Sequence, residues 1–117
     1  MKTFAQLLFA GLTLALFSNP LAACNNPPIA NTDVYNIAKN TIVSIYNSAI
    51  VANDTDANGD ALSAYVSGVP STGYFCGIAP DGVCYQPPTN FTGLVSIPYQ
   101  LTDGCNTVGG TILVYVQ

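Results

Sequence analysis

The chemistry-bearing residues of this chain concentrate in one stretch, Asn53-Asp54-Thr55-Asp56-Ala57-Asn58-Gly59-Asp60. It holds three of the six acidic side chains, and there is no Glu anywhere in the sequence. Asp54, Asp56 and Asn58 stand at alternate positions, followed by Gly59 and Asp60. Hard oxygens at this spacing suit Ca²⁺, which takes six to eight oxygen ligands, usually several carboxylates plus carbonyls. The pattern is the first half of an EF-hand loop. The second half is missing, because Tyr65 stands where the twelfth-position carboxylate belongs. A site here must therefore borrow ligands from elsewhere in the chain. Asx-rich loops also form turns by hydrogen-bonding their own backbone with no metal, and both readings stand at this point.

Other chemistries fail on residue supply. The sequence has no His, which removes the commonest general base and metal ligand. No Ser has a His or a suitable Lys to activate it as a nucleophile. Asp54 and Asp56, two residues apart on one loop, cannot face each other across a cleft as a glycosidase pair does. The expectation is a protein that is not an enzyme and has no small-molecule substrate. Lys2 and Lys39 are the only basic residues, and the formal net charge is −4. That balance excludes the basic patch that nucleic acid requires.

The acidic stretch must be held by β-structure. Asp33 to Ile37 and the β-branched run Thr41 to Tyr46 precede it as strands. Ala49 to Ala52 leads into it and Ala61 to Val66 leaves it as a strand. Ser67 to Gly73 is turn material. Tyr74 to Ile78 and Val83 to Tyr85 flank Ala79-Pro80-Asp81-Gly82, a strong hairpin signal in which Asp81 is a turn residue. From Val95 to Leu101 apolar and other residues alternate, so one face is buried and Pro98 lies on the other. Asp103-Gly104-Cys105-Asn106 is a turn, and Thr111 to Val116 closes the chain as a strand. About seven short strands without helical periodicity predict an all-β Greek-key sandwich.

Residues 1–23 read as a secretory signal peptide: Lys2, the apolar run Leu7 to Phe17, then Ser18-Asn19-Pro20 and Leu21-Ala22-Ala23. The run is too short to cross a membrane as a helix. The domain is residues 24–117, secreted or at the cell surface, where disulfides persist. Leu21-Ala22-Ala23-Cys24 also fits a lipobox, in which Cys24 is acylated and anchors the protein to the outer membrane. Four cysteines allow three pairings. The hairpin puts Cys76 beside Cys84, which leaves Cys24 with Cys105; acylation of Cys24 would instead leave Cys105 a free thiol.

The domain resembles the cadherin-like, Ig-like domains that recur in tandem on bacterial surface proteins. The resemblance rests on Pro27-Pro28-Ile29-Ala30-Asn31-Thr32-Asp33-Val34-Tyr35, on Ile50 to Leu62 around the acidic stretch, and on Tyr85-Gln86-Pro87-Pro88-Thr89-Asn90-Phe91-Thr92-Gly93. It continues through Tyr99-Gln100-Leu101-Thr102-Asp103-Gly104 and the strand Thr111 to Val116. Relatives are usually beads in long chains, whereas this domain is expected to stand alone, with its cysteines as an addition. The resemblance implies an Ig/cadherin-like fold and a role in adhesion or in assembly of a surface structure. The expected partner is a surface protein, a glycan or a second copy. In an Ig-type topology the domain N-terminus, the loop between the second and third strands and the last hairpin share one end. That makes Asp33 and Asp103 the expected lenders of ligands to Asp54, Asp56, Asn58 and Asp60. The same topology brings Cys24 toward Cys105.

Overall fold

The computed structural model describes residues 26–117. The expected signal peptide and Cys24 lie outside the described residues. Seven strands form two sheets: β1 (Asp33–Ile37), β2 (Val43–Tyr46), β3 (Ser63–Val66), β4 (Tyr74–Ala79), β5 (Gly82–Gln86), β6 (Gly93–Thr102) and β7 (Thr107–Val116). The four-stranded sheet has the order β1-β7-β6-β3 and the three-stranded sheet β2-β5-β4. Only the β4–β5 and β6–β7 hairpins stay within a sheet; the other connections cross between sheets, giving the Greek-key Ig-like sandwich expected.

The hairpin of β6 and β7 is the spine, in register from Gly93↔Val116 to Thr102↔Thr107. Val95, Ile97, Tyr99 and Leu101 point inward from β6, and Ile112, Val114 and Val116 from β7, all buried. Ile45 and Tyr85 meet them from the three-stranded sheet. Period-two alternation thus places one apolar row per strand in the core. Burying each such side chain contributes roughly 1.5–3 kcal/mol, so this row, rather than any loop, holds the ends in place. Pro98 is exposed on the outer face. Its carbonyl accepts from Ser67 N, just where β3 leaves the sheet, so its missing N–H costs only the last rung of that ladder.

Two details depart from expectation. A single helical turn, α1 (Asn47–Val51), leads into the acidic stretch. It is too short for a 3.6-residue period to show. Ile50 anchors it in the core, and Asn47 ties it to the β4–β5 turn through its N–H to Asp81 O and its Nδ2 to Pro80 O. The last strand begins at Thr107, four residues earlier than read from sequence, because Gly109 and Gly110 hide its alternation.

Strand directions define two ends. β2, β4 and β6 run toward the end that carries α1, the acidic stretch, the β4–β5 turn and the Asp103-Gly104-Cys105-Asn106 turn. Five of the six aspartates lie at this end, and Asp33 opens β1 level with Ile112, part-way along the β6–β7 ladder. Lys39, the one basic side chain among the described residues, follows β1 at the opposite end, where its N–H donates to Gln117 O.

Candidate functional site

Three segments meet at the acidic end. The lead-in is sewn to the acidic stretch by a two-way backbone bridge: Ile29 N donates to Thr55 O at 2.8 Å and Thr55 N to Ile29 O at 3.1 Å. Asn31 Nδ2 donates to Asn53 O, and Asn53 Nδ2 returns to Thr32 O. The third segment is the turn after β6, built around Asp103. Its Oδ1 accepts from Cys105 N at 2.9 Å and Asn106 N at 2.7 Å, an Asx turn. Those donors hold the Asp103 carboxyl below the usual carboxylate range.

The six expected ligands sort into two groups. Carboxylate oxygens of Asp56, Asp60 and Asp103 all lie within 4.8 Å of one another. Asp56 Oδ2 accepts from Asn58 N and, at 2.8 Å, from Asp60 N, which folds the loop back on itself. Gly59, at φ +72°, makes that reversal possible. In each carboxylate one oxygen is left over: Asp56 Oδ1, Asp60 Oδ2 and Asp103 Oδ2 are buried without a hydrogen-bond partner. Asp103 itself is only 8% exposed. The Asp60 carboxyl is pushed up, first by burial and then by its acidic neighbours Asp56 and Asp103. Asn58 is exposed and joins the cluster through its backbone N–H.

Asp33 and Asp54 form the second group, around Tyr99. The Tyr99 hydroxyl lies 3.1 Å from each oxygen of Asp54 and 3.0 Å from Asn31 O. Asp54 Oδ1 also accepts from Asn31 N at 2.7 Å. Asp33 Oδ2 is buried without a partner, and burial, then the charge of Asp54, pushes its pKa up to about 6. The hydroxyl of Tyr99 is raised too, by burial and then by Asp54. Tyr99 is the functional residue that sequence reasoning missed. Its inward position was legible, and a buried tyrosine hydroxyl requires a partner. What the sequence did not disclose is that the partner would be Asp54.

Three convergent carboxylates, each with one buried oxygen left unpaired, are a donor set for a hard divalent cation. Cys ligands are not available among the described residues: Cys76 and Cys84 are bonded to each other, with Cα atoms 5.2 Å apart, and Cys105 is disulfide-bonded. The expected partner of Cys105, Cys24, lies outside the described residues.

A family model described as bacterial Ig domain matches residues 25–115. The chain belongs to the bacterial Ig domain family. Such a domain with a disulfide fits an extracytoplasmic setting. No curated protein sequence matches the chain. Among solved structures the chain is similar to MfFcnA4, an endo-fucoidan hydrolase from glycoside hydrolase family 107, and to a variant of it. Identity is 19% and the TM-score 0.47 in both cases. The matches cover 79% and, for the variant, 80% of this chain but 14% of each hydrolase chain.

Proposed function

We propose that this bacterial Ig domain is a non-enzymatic, secreted or surface-attached module for adhesion or assembly of a surface structure, with Ca²⁺ stabilising its acidic end. The observation that carries the cation is the convergence of the Asp56, Asp60 and Asp103 carboxylates, each of which keeps one buried oxygen without a hydrogen-bond partner. Three like charges this close repel unless a cation or protons intervene. Bound there, Ca²⁺ joins the acidic stretch to the turn after β6, and through the Ile29–Thr55 bridge it steadies the lead-in. The missing acid/base residues support a binding role rather than turnover.

The test is thermal stability. At a ligand concentration ten times a typical extracellular Kd of about 10⁻⁴–10⁻³ M, stabilisation is about 1.4 kcal/mol, or roughly 5–10 °C for a domain this size. EDTA should lower Tm and Ca²⁺ restore it, Asp103→Asn should lose the response, and Asp81→Asn should keep it. No shift at millimolar Ca²⁺ removes the cation. Turnover of any substrate that is lost on changing Asp54 or Asp56 would return the protein to the enzymes.

A second reading, an outer-membrane lipoprotein acylated at Cys24 with an accessory role, is favoured by Leu21-Ala22-Ala23-Cys24. The bonded state of Cys105 supports the soluble form instead. The intact mass of the mature protein separates them: acyl chains at Cys24, or a chain lighter by the hydrogens of two bridges.

A further inference from the structure

We infer that Asn58-Gly59 is a self-modification site in the acidic stretch, where the Asn58 side-chain amide is lost to give aspartate or isoaspartate whenever the loop opens. The closing of the loop rests on the cation proposed above. The sequence has no other Asn-Gly pair. Asn58 and Gly59 are both exposed. The side chains of Asn31, Asn40, Asn47 and Asn53 each donate to a main-chain or side-chain oxygen, whereas that of Asn58 makes no hydrogen bond among the described residues. Asn58 Cγ and Gly59 N belong to one short stretch of chain, so a bond between them closes a succinimide ring without bringing in a second molecule. Gly59 has no Cβ to obstruct the approach, and the place where one would stand has no heavy atom within 4 Å.

The chemistry balances with water alone. Gly59 N attacks Asn58 Cγ, the N–Cγ bond forms, the Cγ–Nδ2 bond breaks, and Nδ2 leaves as ammonia with the proton that Gly59 N gives up. Water then opens the succinimide. Opening between Gly59 N and Cγ leaves an aspartate at position 58, one more negative charge beside Asp56 and Asp60. Opening between Gly59 N and the main-chain carbon of position 58 leaves isoaspartate, whose backbone runs through Cγ and is one carbon longer. In the folded loop the nucleophile is occupied. Gly59 N donates to Asp56 O at 3.1 Å, and on either side of it Asn58 N and Asp60 N both donate to Asp56 Oδ2. Attack requires these bonds to open. A cation held by Asp56 and Asp60 binds the closed loop, and at ten times its Kd it lowers the open population about tenfold. The longer isoaspartate backbone no longer lets both flanking N–H groups reach one carboxylate oxygen, so that product loses the fold-back on which the cation cluster depends. The site thus records how long the loop has stood without its cation.

Peptide mapping by mass spectrometry of the mature protein, held for weeks at neutral pH in EDTA or in millimolar Ca²⁺, tests this. The expected result in EDTA is replacement of an amide NH2 by OH at position 58, as a mixture of aspartate and isoaspartate, with Asn53 and Asn36 intact. Asn53 is held by Thr32 O, and Asn36 is exposed but followed by the β-branched Ile37. Ca²⁺ should slow the change about tenfold. Asn58→Gln keeps the amide but needs a larger ring, and should stay unmodified with Tm unchanged. The isolated isoaspartate form should lose the Tm response to Ca²⁺. An intact Asn58 after weeks in EDTA, or loss of the Asn36 amide at the same rate, overturns the proposal. Equal rates in EDTA and in Ca²⁺ overturn the gating; the cation falls with it if Ca²⁺ leaves Tm unmoved, and stands if Tm rises.

Discussion

The two ends of the sandwich solve one problem with different materials. At each, a fully buried tyrosine reaches out of the core and its hydroxyl holds a loop. Tyr99 holds the lead-in through Asn31 O and Asp54. Tyr85, at the opposite end, donates to Thr72 O at 2.8 Å. Each ring lies against a glycine: a Cβ on Gly110 would meet the Tyr99 ring at 2.4 Å, and one on Gly73 would meet Gln86 O at 2.5 Å and the Tyr85 hydroxyl at 2.6 Å. Beyond that the ends diverge. The Tyr85 end is closed by neutral groups, notably Asn40 and Asn90, both at φ 61°, which hydrogen-bond each other twice. The Tyr99 end buries aspartates. An end that buries no charge is complete on its own, whereas a buried acidic end has to recruit a proton or a cation.

The largest expected effect comes from filling the glycine spaces. Gly110→Ala should destabilise by about 2–3 kcal/mol, because the Tyr99 ring is held and cannot give way. Gly73→Ala should cost as much or more, since it adds a positive φ of 81° to a clash with backbone. Denaturant midpoints read both. If Gly110→Ala is neutral, the ring is not pinned and the likeness between the ends breaks.

Removing the hydroxyls sharpens the contrast. Tyr99→Phe takes a hydrogen bond from a buried carboxylate and should cost about 1.5–3 kcal/mol, against about 0.5–1.5 for Tyr85→Phe, whose partner is a neutral carbonyl. Equal losses in urea melts would mean that the charge on Asp54 is compensated from elsewhere.

The smallest effect is that of pH without divalent cations. The folded pKa of Asp33, about 6, lies above its ordinary value of 3.8. Its contribution to stability is therefore full below about pH 4 and lost as pH rises through 6. Asp60, raised as well, has the same sign; Asp103, lowered, acts oppositely, losing its contribution as pH falls below the ordinary range. Metal-free Tm should thus rise from pH 7 to pH 5. Asp33→Asn should flatten that rise and stabilise at pH 7 by about 0.5–1 kcal/mol once solvent screening is allowed for. A Tm that falls over the same interval would show that Asp33 is charged and paired in the fold.

Most of the sandwich was legible because strand signals are local. Val95 to Leu101 alternates over one strand, and Cys76 and Cys84 flank one turn, so nothing distant is needed to read them. The meeting of the acidic stretch with Asp103 required the topology, which the resemblance to Ig-like domains supplied. The division of the aspartates into two groups was not legible. It depends on whether each carboxylate turns toward Tyr99 or toward Asp103, a matter of side-chain direction that spacing along the loop does not encode. Gly110 was missed for a related reason: its role is set by Tyr99 across the ladder, not by its neighbours in sequence.

The pairing of β1 with β7 has a mechanical consequence. The described chain enters beside the acidic end and leaves at Gln117, at the other end, and these first and last strands run parallel from Asp33↔Ile112 to Ile37↔Val116. Gln117 N to Ile37 O and Lys39 N to Gln117 O extend the ladder. A pull on the two ends of the chain is therefore directed along these strands. It loads all the rungs in shear at once instead of peeling them one at a time, so the pairing of the first and last strands is also what resists tension.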